Sequence, residues 1–133
     1  MSANLFIKKF DMSKIDKRSA VAIIGKRNIG KSYLVKDLLY YNHDIPFGTV
    51  ISPCESEDQF YGNIVPNKFI HNEFNEEIVN NLAKRQKLVI NKINQQKDQF
   101  GKTNIDPFAY LICDSLMQDW LKNSTMREFF ASL

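Results

Sequence analysis

The chain has 133 residues, 15.5 kDa, with 44% hydrophobic and 25% charged residues, the balance of one globular domain rather than a disordered or fibrous chain. No apolar run approaches the ~18–20 residues of a membrane-crossing helix, and the first twenty positions lack the apolar stretch and cleavage site of a secretory leader. The formal charge of +3 is unevenly spread: residues 1–36 hold nine Lys/Arg against two Asp, a front end that suits a polyanion such as a nucleotide or nucleic acid, or plain solvation. Two cysteines, Cys54 and Cys113, make no disulfide framework, so a reducing, cytosol-like compartment is expected.

There is no repeat, low-complexity tract or Pro/Gly-rich linker, and residues 1–133 are expected to form one continuous unit. Leu5-Phe6-Ile7 can open a first strand. Ser19 to Ile24 is a short apolar run stopped by Gly25, the pattern of a buried parallel strand. From Lys31 to Tyr41, Leu34, Val35, Leu38 and Leu39 recur at helical spacing, and Asn42 to Gly48 is a turn-rich connection. Thr49 to Ser52 reads as a second core strand ended by Pro53, and Lys68 to His71 as another short one. Asn75 is a helix N-cap with Glu76 and Glu77 placed well against the helix dipole. That helix is predicted to run to about Gln99, with Ile78, Leu82, Val89 and Ile93 near one face and Gly101 beyond its end. Ala109 to Asp114 is a third core strand with a carboxylate at its tip, and Met126 to Leu133 begins a further apolar element. Strands alternating with helices predict an α/β fold with a parallel sheet.

Gly25-Lys26-Arg27-Asn28-Ile29-Gly30-Lys31-Ser32 fits G-x-x-x-x-G-K-[ST] at every fixed position. In such a loop the glycines let backbone amides converge on phosphate oxygens, and the following helix aims its positive end at them. Lys26, Arg27, Asn28 and Ile29 line the loop between the glycines. Lys31 would reach the β- and γ-phosphates of ATP, and the Ser32 hydroxyl would ligate Mg²⁺. Asp114, closing an apolar strand, has the Walker B pattern of a carboxylate that holds Mg²⁺ through its water shell.

Other features point elsewhere. Asn91-Lys92-Ile93-Asn94 resembles a guanine-reading motif, but Asn94 replaces the required Asp and the stretch falls inside the predicted helix. His43 and His71 lack metal-ligand spacing, Cys113 fits an apolar strand as a small hydrophobe, and Cys54 reads as a loop residue. Phe69, Phe74, Phe129 and Phe130 are expected in the core.

The loop start GKR, the stretch DLLYYNHDIPFG, the SPCE segment after the second strand, the Lys84-Arg85-Gln86 helix and LICDSLMQDW resemble the poxvirus-type virion DNA-packaging ATPases. These are P-loop motors of the FtsK–HerA superfamily, and the resemblance runs from about Ala20 to Phe130. It implies a P-loop NTPase fold, with a mainly parallel sheet flanked by helices and incomplete after the Walker B strand. It also implies ATP-driven translocation of double-stranded viral DNA, ATP with Mg²⁺ as bound groups, a homo-oligomeric ring, and capsid or portal partners without a membrane. The setting implied is the host-cell cytoplasm or the virion.

Three departures accompany the resemblance. Asn28-Ile29 stands where the family carries a small pair, and Ser115 where it has a second acid. The family's chain continues past the position of Leu133, so the resemblance implies a truncated fragment, a sheet slot filled by another chain, or strands that close up. Turnover by this chain alone is therefore expected to be slow. A nucleotide-binding module without turnover, another small P-loop enzyme such as a nucleotide kinase, and an assembly fragment are the alternative readings.

Overall fold

Residues 6–115 and 122–131 are described by a computed structural model. Two units can be taken in turn, Met1–His43 and Asp44–Leu133.

In the first unit Asp11 caps a 3₁₀ turn at Met12–Lys14, its carboxylate accepting from the Ser13 amide at 3.1 Å and the Ser13 hydroxyl at 2.6 Å. Helix α1 spans Lys31–Tyr41, as its spacing predicts, and packs against that turn. It ends at Asn42, whose side-chain amide donates to the Leu38 carbonyl at 2.9 Å. The strand expected at Ser19 to Ile24 does not form. Residues 19–26 adopt no regular element, and Val21 and Ile24 are 52% and 90% exposed. A strand is held by ladder bonds to a neighbour, and no described strand pairs with this segment, so its apolar pattern alone does not order it. Phe6 and Ile7 likewise form no strand, and Leu5 lies outside the described residues.

The second unit is built on a three-stranded parallel sheet flanked by helices. Strands β1 (Gly48–Ile51), β2 (Ile70–His71) and β3 (Tyr110–Cys113) lie in the order β2-β1-β3. Val50 pairs with Ile70 on one side and Ile112 on the other, and Ile51 with His71 and Cys113. The register Gly48↔Tyr110 requires its glycine, because a Cβ there would lie 1.9 Å from the Tyr110 ring.

Strand alternation puts Ile51, Leu111 and Cys113 on one face. Helix α3 (Glu76–Phe100) and helix α4 (Ser124–Ala131) supply Val79 and Met126 to that face, and with Ile51 these form the core. Phe74, Ile78 and Phe129 pack around it. Burying each large apolar side chain contributes about 1.5–3 kcal/mol. Phe130, expected inside, is 41% exposed: on α4 it falls one residue beyond the inward-facing Phe129, about 100° round the helix.

Both ends of α3 follow from local chemistry. The Asn75 side chain accepts from the Glu77 amide at 2.9 Å, and Gly101 closes the helix in the left-handed region at φ 71°. Asn91 to Asn94 lies within α3 with Ile93 buried, a packing position rather than a base-reading one. A short helix α2 (Glu55–Asp58) and two 3₁₀ turns, Tyr61–Asn63 and Asn67–Phe69, connect β1 to β2.

Candidate functional site

The sequence-predicted loop begins where the chain leaves its irregular segment and ends at the first turn of α1. Asn28 and Gly30 have positive φ, 61° and 94°, and Ile29 between them does not. Alternation of this kind turns successive backbone N–H groups toward one side, which is the geometry of an anion-binding nest. Gly30 is the residue type its φ demands, and Asn tolerates the same region better than most. The Lys31 ammonium folds back over the loop and donates to the carbonyls of Gly25 at 3.0 Å and Lys26 at 2.8 Å. Gly25, Lys26 and Lys31 are thus brought together as a closed ring of backbone with a cation across it. Lys26, Arg27 and Ile29 are exposed, and Ser32 sits half-buried in the first turn of α1.

The positive front end stays positive in the structure. Lys8, Lys9, Lys14, Lys26 and Arg27 are all exposed. Of its two acids, Asp11 caps a turn and Asp16 pairs with Arg18 at 3.1 Å. The hydrogen bonds from Arg18 hold the Asp16 carboxyl below its ordinary range.

Asp114, in the second unit, directly follows β3, and its amide donates to the Ile51 carbonyl at 3.0 Å, continuing the ladder by one residue. Parallel sheets bind ligands at this carboxyl edge of the strands. The carboxylate is half-buried and accepts two hydroxyls: Tyr61 at Oδ2, 2.8 Å, and Ser115 at Oδ1, 3.0 Å. Ser115 takes a left-handed φ of 62°, uncommon for a residue with a Cβ. Its hydroxyl is committed to the neighbouring carboxylate.

Sequence reasoning missed Tyr61 and the part played by Glu55. Glu55 is buried, and its two oxygens accept from the Tyr61 amide at 2.8 Å and the Gly62 amide at 2.7 Å. Glu55 falls in the SPCE segment, but the Tyr61–Asp114 bond joins residues 53 apart and leaves no periodic signal. Beside this turn lies a cavity of about 320 Å³, lined by Glu55, Gln59, Asn63, Asn67 and Asn72 among others.

Both cysteines are free thiols. Cys113 packs against the core, and burial pushes its thiol up to about 11. Burial lowers His71. Among the described residues no three His, Cys, Asp or Glu side chains converge as a metal cage. A hard divalent ion at such a place is held by one or two protein oxygens together with phosphates and water. Ser32 in the first unit and Asp114 in the second each carry an oxygen of that donor type.

The chain is similar to viral proteins. An uncharacterized protein of Acanthamoeba polyphaga mimivirus is 36% identical over 132 residues, covering 96% of this chain and 46% of the relative. One from Invertebrate iridescent virus 6 is 35% identical over 123 residues, 85% of this chain and 44% of the relative. One from Frog virus 3 is 40% identical over 67 residues, 50% of this chain and 21% of the relative. The chain thus spans less than half the length of these relatives. No family model matches it, and no solved structure matches it significantly. Among the described residues no helix is long and apolar enough to cross a membrane.

Proposed function

We propose that this chain is the nucleotide-binding portion of a viral DNA-packaging ATPase with a P-loop NTPase fold. It binds ATP with Mg²⁺ through Gly25 to Ser32, and Asp114 assists the metal. The observation that carries this reading is the loop itself. A complete G-x-x-x-x-G-K-S run opens a helix, its φ alternates in sign at Asn28, Ile29 and Gly30, and its lysine lies across the loop's own carbonyls. Triphosphate oxygens compete for that ammonium, giving it a stronger, charge-assisted partner than a carbonyl. Mg²⁺, when bound, would neutralise charge between the β- and γ-phosphates.

Viral relatives support a viral setting, the host-cell cytoplasm or the virion, and the exposed lysines of the first unit support contact with double-stranded DNA through its backbone. A homo-oligomeric ring and capsid or portal partners belong to the same proposal.

Calorimetry with ATP and Mg²⁺ tests it. Lys31→Ala removes a charge-assisted contact of roughly 1.5–3 kcal/mol, so affinity should fall tenfold or more. Equal affinity for wild type and variant would overturn the reading. DNA affinity should fall steeply with salt and vary little with base sequence.

A second reading, nucleotide binding without appreciable turnover, is favoured by Ser115. Its hydroxyl donates to Asp114 and stands where a water-activating carboxylate is needed. Phosphate release by this chain should stay near background with and without DNA. Brisk turnover that Lys31→Ala abolishes would exclude this second reading.

A further inference from the structure

The cavity of about 320 Å³ in the second unit is left unused by the nucleotide reading. Its lining residues come from the connection between β1 and β2 and the end of β2. That stretch, residues 52–75, carries Glu55, Glu57, Asp58 and Glu73 against Lys68 as its one Lys or Arg, in a chain whose formal charge is +3. Lys68 is held over the Phe69 ring, 4.8 Å from its centre, and does not line the cavity.

Glu55 anchors the site. Its side chain is nine-tenths buried, with Oε2 accepting from the Tyr61 amide and Oε1 from the Gly62 amide. Each carboxylate oxygen has a second lone pair to offer. A Cβ at position 62 would stand 3.4 Å from Glu55 Oε1 and 3.2 Å from Asn67 Oδ1. Glycine there leaves two acceptor oxygens converging on the space above bare backbone. The Asn63 side chain donates to the Gln59 carbonyl at 3.3 Å, so its own oxygen is left as an acceptor. Among the described residues, the side-chain amides of Gln59, Asn67 and Asn72 have no hydrogen-bond partner within the chain.

An acceptor-rich cavity of negative charge, with no cation among its described lining residues, favours a cationic ligand that carries several donors. A hard divalent ion fits poorly: Glu55 is the one carboxylate among those residues and already binds two amides. A nucleobase fits poorly too, because none of those residues supplies an aromatic ring to stack on it. A guanidinium has five N–H donors in one plane and can bridge oxygens that a single ammonium cannot. Free arginine would also bring an α-carboxylate, which the exposed Glu57 and Glu73, close in sequence to lining residues, repel.

We propose that this cavity binds the guanidinium of an arginine side chain presented by a protein partner, with Glu55 and Asn67 as the recognising acceptors. The assignment is independent of the nucleotide reading, since it uses neither the loop from Gly25 to Ser32 nor Asp114.

The experiment follows amide signals of the full chain by NMR during titration with N-acetyl-arginine methylamide and with the matching citrulline and lysine compounds, free arginine and adenosine. Capped arginine should shift the Gly62 and Asn67 signals saturably. Citrulline, equal in length but uncharged, should bind about tenfold more weakly or worse, and lysine should fall between them. Free arginine should be weaker than its capped form. Glu55 also holds the turn, so the deciding variants are Gly62→Ala and Asn67→Asp. Gly62→Ala, which fills the space between the two acceptors, should weaken capped arginine about tenfold with little change in the denaturant unfolding curve. Asn67→Asp, which adds a second carboxylate, should tighten it up to about fivefold.

No saturable shift with capped arginine overturns the proposal, as does citrulline binding equally well or adenosine binding more tightly. Unchanged affinity in both Gly62→Ala and Asn67→Asp places any binding elsewhere and overturns it too. Free arginine binding as tightly as the capped form overturns the assignment to a protein partner.

Discussion

Among the described residues, Val50, Ile51, Tyr61, Val79 and Met126 are fully buried, and all belong to the unit 44–133; residues 6–43 bury no side chain, yet they carry the phosphate-type loop. The loop owes its shape to local backbone geometry: two left-handed residues, a helix start and one lysine reaching back five and six residues. The carboxyl edge near Asp114 owes its shape to contacts between distant segments, Tyr61 with Asp114 above all. A loop of this shape can therefore be written into a few consecutive residues, whereas an oriented carboxylate needs a core to hold it.

That comparison can be broken by substitution. Ile51→Ala or Met126→Ala should cost about 2–5 kcal/mol in denaturant unfolding, since each leaves a cavity in the packed cluster. Ile24→Ala, at an exposed position, should stay within about 0.5 kcal/mol. A large loss at Ile24 would show that the first unit's apolar run is packed after all.

The two conformationally demanding glycines sharpen the contrast. Gly48→Ala drives a methyl into the Tyr110 ring and should cost about 1–3 kcal/mol of stability. Gly30→Ala meets no atom within 4 Å but strains a φ of 94°, about 1–2 kcal/mol. Its main expected effect is on ATP affinity, measured beside the unfolding curve. If Gly48→Ala weakens ATP binding more than Gly30→Ala does, the separation of roles is wrong.

Two titrations probe the second unit more gently. Burial raises Cys113 from 9.0 to about 11, so its thiolate fraction near pH 8 should be about a hundredfold below that of a free thiol. Alkylation should be correspondingly slow until the protein unfolds. The raised value favours the fold fully below pH 9, and that contribution is lost as pH rises from 9 toward 11. For His71 the sign is opposite: burial lowers it from 6.5, so its contribution is complete above that pH and fades as pH falls below it. The effect should be small, and His71→Gln should remove it from the unfolding curves between pH 7 and 5.

Much of the architecture is legible in consecutive residues. The Asn75 cap, the Gly101 stop, the α1 spacing and the apolar cores of β1 and β3 all appear within a residue or two of where they are read. These features depend on backbone propensity, capping and short-range periodicity, which act over a few positions of chain. The loop motif belongs with them, since its glycines and lysine act on neighbouring carbonyls and amides.

Tertiary structure decided the rest. Ser19 to Ile24 has the composition of a buried strand but no described strand beside it, and Phe129 rather than Phe130 turns inward only because α4 meets the core on one face. Tyr61 becomes the partner of Asp114 only when β1, the turn held by Glu55 and β3 are assembled at one edge of the sheet. Pairing and burial are properties of neighbours in space, and a segment's own residues state only what it can offer them.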